Sequence, residues 1–154
     1  MGKYDAMKDQ KFVFGSILIV SNLMDTILER ELKEYGITAK QWFLTVVMEN
    51  SFDHPPTIKE VAKAMGTSHQ NVKQLALKLA AKDFLVLEKD IRDARVTRLS
   101  LTGQSHVFSQ TIQAKAARFT KVLFAGIGDD DISGARKSLQ TMMSNLTDMD
   151  QPTS

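Results

Sequence analysis

The chain has 154 residues, of which 43% are hydrophobic and 25% charged, and a formal net charge of +2. That length suits a single domain over residues 1–154 with a real apolar core. It contains no cysteine, and its three histidines, His54, His69 and His106, lie at no ligand spacing; disulfides and thiolate chemistry are excluded, and neither a metal site nor a cofactor is expected.

The first ten residues are polar where a secretory signal would be apolar, and Ala6 stands where N-myristoylation prefers Ser or Thr. The longest apolar stretch, Phe12 to Val20, is interrupted by Gly15 and Ser16 and is too short for a membrane span. The expectation is a cytoplasmic protein with no membrane partner.

Residues 10–34 read as one long helix, because Val13, Ile17, Val20, Met24 and Ile27 step by 4, 3, 4 and 3. Leu18, Ile19, Leu23 and Leu28 widen its buried surface, and Gly36 suits a left-handed stop. Thr38 to Gln41 form a capping box that opens a second helix through Trp42, Phe43, Val46 and Val47. After a polar loop, Asn50 to Pro56, a second box at Thr57–Glu60 starts a helix carrying Ile58, Val61, Ala62 and Met65 up to Gly66. A third box, Thr67–Gln70, begins the next helix almost at once. Two helices so close in sequence must cross steeply, as in a helix-turn-helix.

That second helix runs to about Lys82. With Val72 at the centre of its buried stripe, Val72, Leu75, Ala76 and Leu79 line the core, while Gln70, Lys73, Gln74, Leu77, Lys78 and Ala81 face outward. Glutamine amides can both donate to and accept from adenine in a major groove, and lysines can meet phosphate or guanine. Ser68 and Asn71, at the positive end of the helix, can take phosphate or base edges. The bland alternative is a solvated polar face; the helix-turn-helix setting favours a reading face.

Residues 85–89 and 96–101 are strand-like, with Leu99 and Leu101 inward and Arg98 and Ser100 outward. The intervening loop, Asp90 to Arg95, lacks Gly, Pro and Asn and is a poor hairpin by turn chemistry. It does bring Arg92, Asp93 and Arg95 together. An arginine gains from the negative potential of a narrow minor groove, and the carboxylate beside it can orient it by a charge-assisted bond. From Thr57 to Leu101 nine cations face five anions, a net of +4 that leaves −2 for the rest of the chain.

From Thr102 a long helix carries Phe108, Ile112, Phe119 and Leu123 and ends near Gly126–Gly128. Asp129 to Asp131 suit the start of a last helix, along which Ile132, Ala135, Leu139, Met142 and Leu146 step by 3, 4, 3 and 4. These terminal seams suit packing within the chain or against a second copy. The tail, Asp148 to Ser154, is expected to be disordered. There is no phosphate loop, no nucleophile elbow and no HExxH, and Asp53-His54 lies in a polar turn; no enzyme is expected.

The run of capped helices, then Leu79-Ala-Ala-Lys-Asp-Phe-Leu-Val86, Asp93-Ala-Arg95 and Thr97-Arg-Leu-Ser-Leu-Thr-Gly103, resembles the MarR family of bacterial winged-helix regulators. Asp93 and Arg95 match its D-x-R wing motif. Gly103 comes earlier than in the family pattern, and Asp83 stands where the family usually has glycine after the recognition helix. The likeness extends over roughly Lys8 to Met149. It implies a mainly α fold: a winged helix-turn-helix lobe at about 37–101 with a small two- or three-stranded wing, and dimerisation helices at about 8–35 and 102–149. It further implies a sequence-specific transcriptional regulator, a repressor by expectation, acting as a homodimer on a pseudo-palindromic operator in double-stranded DNA. Ser68, Gln70, Asn71, Lys73, Gln74, Lys78, Arg92, Asp93 and Arg95 are its candidate DNA-binding residues. The resemblance also implies a small organic effector, for which Trp42 and Phe43 are candidate contacts, although aromatic residues at this spacing are more often plain core. The competing reading is a winged-helix module that binds protein rather than DNA.

Overall fold

A computed structural model of the chain describes residues 2–3 and 8–151. Ala6 and the tail residues 152–154 lie outside the described residues; Asp148 and Met149, expected in a disordered tail, instead complete the last helix.

Among the described residues six α-helices and two strands follow in the order α1 (Asp9–Leu32), α2 (Ala39–Ser51), α3 (Ile58–Met65), α4 (His69–Ala81), β1 (Leu85–Lys89), β2 (Thr97–Leu101), α5 (Gly103–Leu123) and α6 (Asp129–Met149). The described residues divide into two compact units, the first ending at Ser109 and the second beginning at Gln110.

Local chemistry sets most boundaries in the first unit. A short 3-10 turn, Lys33–Tyr35, follows α1 and ends at Gly36, whose φ of 66° is left-handed. The Thr38 hydroxyl accepts from the Gln41 amide while the Gln41 side chain accepts from the Thr38 N–H, and Thr57 and Glu60 repeat the exchange. Two of the three capping boxes read from the sequence, at Thr38 and Thr57, are therefore present. Glu29 adds a carboxylate to the start of α2 by accepting from the Ala39 N–H. The Lys82 ammonium reaches the Gly36 carbonyl and the Gln41 side chain, which ties the end of α4 to the start of α2.

The core of this unit lies among α2, α3, α4 and the sheet. Leu44, Val61, Val72, Leu79 and Leu99 are completely or almost completely removed from solvent. In α2 the buried stripe is Ala39, Gln41, Leu44, Thr45, Val47 and Met48, so Trp42 and Val46 are half-buried and Phe43 is exposed. The strands pair antiparallel with Leu85 opposite Leu101 and Lys89 opposite Thr97. Thr57 bridges Arg98, and the Leu99 N–H donates to the Pro56 carbonyl at 2.8 Å, so the entry to α3 adds a rudimentary third strand. Leu99 points inward as expected, whereas Leu101 is only half-buried.

The turn between α4 and β1 depends on Asp83, the one described non-glycine residue with positive φ, at 62°. Left-handed geometry costs an L-residue roughly 1–2 kcal/mol, least for Asp and Asn. Asp83→Gly is expected to raise stability by about 0.5–1 kcal/mol, a rise of roughly 1–4 °C in Tm for a domain of this size. Thermal unfolding checks this; a fall in Tm would mean that the carboxylate itself stabilises the turn.

Two expectations for α1 need correction. Its apolar residues were expected to widen a buried surface, but within the chain only Leu32 of this helix is buried. Val13, Phe14, Ile17, Leu18, Ile19, Val20, Leu23 and Ile27 are all exposed, Phe14 to 72%. Taken as a whole helix rather than as its longest unbroken run, Asp9–Tyr35 is also long and apolar enough to cross a membrane, with a stretch of mean hydropathy 1.5. Length and composition do not separate such a helix from one that protein covers. In the second unit, α6 starts on Asp129–Asp131 as expected and leaves Leu139, Met143, Leu146 and Met149 exposed.

Candidate nucleic-acid interface

Helices α3 and α4 meet through a compact double cap. Gly66, with φ 68°, donates to the Lys63 carbonyl, and the Thr67 N–H reaches back to the Ala62 carbonyl at 3.0 Å. These are the paired bonds of a Schellman stop. Thr67 is therefore committed to ending α3, and the N-cap of α4 moves one residue on from the expected box. Ser68 Oγ accepts from the Asn71 N–H, and Asn71 Nδ2 donates to Thr67 Oγ1. Ser68 keeps its hydroxyl proton free to donate outward, beside the positive end of the helix dipole.

The buried stripe of α4 is Val72, Leu75, Ala76 and Leu79, the four residues read from the sequence. The opposite face carries Gln70, Asn71, Lys73, Gln74, Leu77, Lys78 and Ala81, all exposed, Leu77 to 52%. Among the described residues, the side chains of Gln70, Lys73, Gln74 and Lys78 make no intramolecular hydrogen bond or ion pair. Their donors and acceptors are available to a ligand.

The wing is stapled by two carboxylates. Asp90 Oδ2 accepts from the Arg92 and Asp93 N–H groups, and Asp90 Oδ1 accepts from Arg98 Nε. Asp93 takes Arg95 in a bidentate pair, Nε at 3.0 Å and a terminal nitrogen at 3.1 Å, while also accepting the Arg95 N–H. The hydrogen bonds from Arg98 and Arg95 hold Asp90 and Asp93 below the usual carboxylate range and push both guanidinium groups up. Arg98 further donates to the Pro55 carbonyl, anchoring the wing to the loop before α3. Asp90 and Arg98 were not singled out from the sequence. The available signal was an aspartate opening a loop that lacks glycine and asparagine, where an Asx turn can supply the missing bend.

The expected site residues thus fall into three places. Ser68, Gln70, Asn71, Lys73, Gln74 and Lys78 share one end or face of α4. Arg92, Asp93 and Arg95 share the wing tip, and Trp42 and Phe43 stand on α2. A cleft of about 450 Å³ opens in the first unit between the end of α2, the Phe52–Pro56 loop and β2, with His106 at its edge; Trp42 and Phe43 lie outside its lining. At its rim His54 bridges Asp53 and Glu60, and hydrogen bonds to these two carboxylates, Asp53 foremost, push its pKa up. This is a salt-linked surface turn, with His54 about half exposed. No cluster of metal-ligating side chains occurs among the described residues.

A capped helix pair whose second helix carries a free polar face, followed by an arginine-bearing hairpin, is the arrangement of known winged-helix proteins of this size. AbsC from Streptomyces coelicolor, described as a MarR family transcriptional regulator, superposes with a TM-score of 0.78, covering 92% of this chain and 97% of that one at 17% identity. The chain has the MarR fold. A second MarR-fold structure, Staphylococcus aureus MepR in complex with DNA, superposes with a TM-score of 0.75 over 91% of this chain and 99% of that one, at 19% identity. In sequence, the chain is 21% identical to the Escherichia coli transcriptional repressor MprA over 98% of its own length and 89% of the repressor's. No protein-family profile matches the chain. The resemblance read from the D-x-R wing and the capped helices therefore stands as a shared MarR fold.

Proposed function

We propose that this chain is a MarR-family transcriptional regulator, a single functional domain that binds double-stranded DNA as a homodimer and represses transcription from a pseudo-palindromic operator. The observation that carries the reading is the uncommitted face of α4, Gln70, Lys73, Gln74 and Lys78, set beside a wing whose Arg95 is aimed by Asp93. Helix α4 enters the major groove, its glutamines meeting base edges and its lysines phosphate or guanine, with Ser68 and Asn71 at the backbone. Arg95 reaches the flanking minor groove, with Arg92 beside it at the backbone. The exposed apolar faces of α1 and α6 are covered by a second copy, which places two recognition helices one turn of DNA apart. Dimer burial also accounts for the apolar character of α1 in a protein of the cytoplasm. A small organic effector that meets Trp42 and Phe43 is the releasing agent.

The test is selection of genomic fragments with the purified protein, followed by footprinting. Two protected half-sites about one helical turn apart are expected, with log K falling against log salt by roughly 0.9 per phosphate contacted. Arg95→Ala is expected to weaken binding at least about tenfold. Failure to enrich any fragment, together with capture of a protein partner that Arg95→Ala leaves unaffected, would support the protein-binding alternative.

A further inference from the structure

The wing tip carries an apolar residue that the DNA-binding reading does not use. Ile91 has a relative exposure of 102%, between Asp90 and Arg92 at the end of the hairpin. An isolated exposed isoleucine is ordinary; its surroundings are not. Asp90 is paired with Arg98 and Asp93 with Arg95, so both tip carboxylates are neutralised. Among the described residues Arg92 makes no side-chain ion pair. The Asp90 N–H donates to the Val96 carbonyl and the Val96 N–H to the Asp93 carbonyl, which closes the loop beneath the tip. A fixed loop thus presents one apolar side chain and one free cation side by side.

We propose, resting on the reading of the wing as a minor-groove element, that Ile91 is an apolar minor-groove contact. It packs against deoxyribose edges and the groove floor while Arg92 meets phosphate. Three features fit. Apolar side chains, isoleucine among them, recur in minor-groove recognition. The β-branched side chain has little χ1 freedom to lose, and the stapled loop is already ordered, so the contact forms with little entropic cost. The paired carboxylates let an apolar group approach a polyanion without bringing unneutralised charge.

The experiment compares Ile91→Ser, Ile91→Leu and Arg92→Ala with the unsubstituted protein on its selected operator across a salt series. Ile91→Ser is expected to lose roughly ten- to hundredfold in affinity with an unchanged salt slope, because no counterion release is involved, and Ile91→Leu to restore most of it. Arg92→Ala is expected to reduce the slope by about 2, roughly 0.9 for each of the two wings of the dimer. Replacing adenines beneath the wing with 2,6-diaminopurine adds an amino group in the minor groove alone; the resulting penalty should be smaller for Ile91→Ser. Equal affinity of Ile91→Ser and the unsubstituted protein, or an equal diaminopurine penalty in both, overturns the proposal while leaving DNA binding intact. An unsubstituted protein that selects no DNA overturns the functional reading itself.

Discussion

Ile17→Glu combined with Val20→Glu is expected to leave this protein monomeric and to remove its protection of paired half-sites. Both residues lie on the exposed seam of α1. In a twofold dimer each substitution appears twice in one self-complementary interface, so four carboxylates would be buried together. An unpaired buried charge costs several kcal/mol. Even about 3 kcal/mol for each carboxylate of one copy weakens association by roughly four orders of magnitude, at about 1.4 kcal/mol per tenfold. Glutamate is a better helix former than valine or isoleucine, so α1 itself should persist. Sedimentation equilibrium measures the state and circular dichroism the helix. Losing the link between half-sites should lower operator affinity by about two to four orders of magnitude. A double variant that remains dimeric would place the covered surface elsewhere, and an unsubstituted protein that is already monomeric would overturn the homodimer reading.

That seam also marks where the sequence stops being informative. The 4, 3, 4, 3 spacing identifies a face, but covering by the same chain and by another copy satisfy the pattern equally. In the structure the face of α1 is left open. In α4 the same wheel logic located the buried stripe residue by residue, because α2, α3 and β1 of the same unit supply the cover. Helix starts were legible where one threonine and one Gln or Glu settle the matter locally, at Thr38 and Thr57. The start of α4 was displaced from Thr67 to Ser68 because the Thr67 N–H is already spent on ending α3, a competition between two neighbouring caps that neither motif records. Asp83 in left-handed geometry was legible from residue type and place. The wing was harder: turn rules look for Gly or Asn, and here the bend is made by the Asp90 carboxylate accepting from two following amides and from Arg98, eight residues on.

The two faces of α4 make the division between folding and recognition measurable. Leu79→Ala is expected to destabilise the first unit by about 2–5 kcal/mol, the range for truncating a fully buried leucine. Leu79 is 0% exposed, its carbonyl accepts from Lys82 and Phe84, and the turn to β1 starts there. Gln74→Ala, five residues earlier on the outward face, should change stability by no more than about 0.5 kcal/mol. On DNA the order reverses. At low temperature, where Leu79→Ala remains folded, its operator preference should match that of the unsubstituted protein. Gln74→Ala should instead lose about 1–3 kcal/mol of discrimination at the base pair it reads, and relax selection there. Chemical denaturation and a binding-site selection measure the two quantities separately. If Gln74→Ala lowered affinity equally for every sequence, α4 would be gripping the backbone without reading bases, and specificity would then have to come from the deformability of the DNA that the wings clasp.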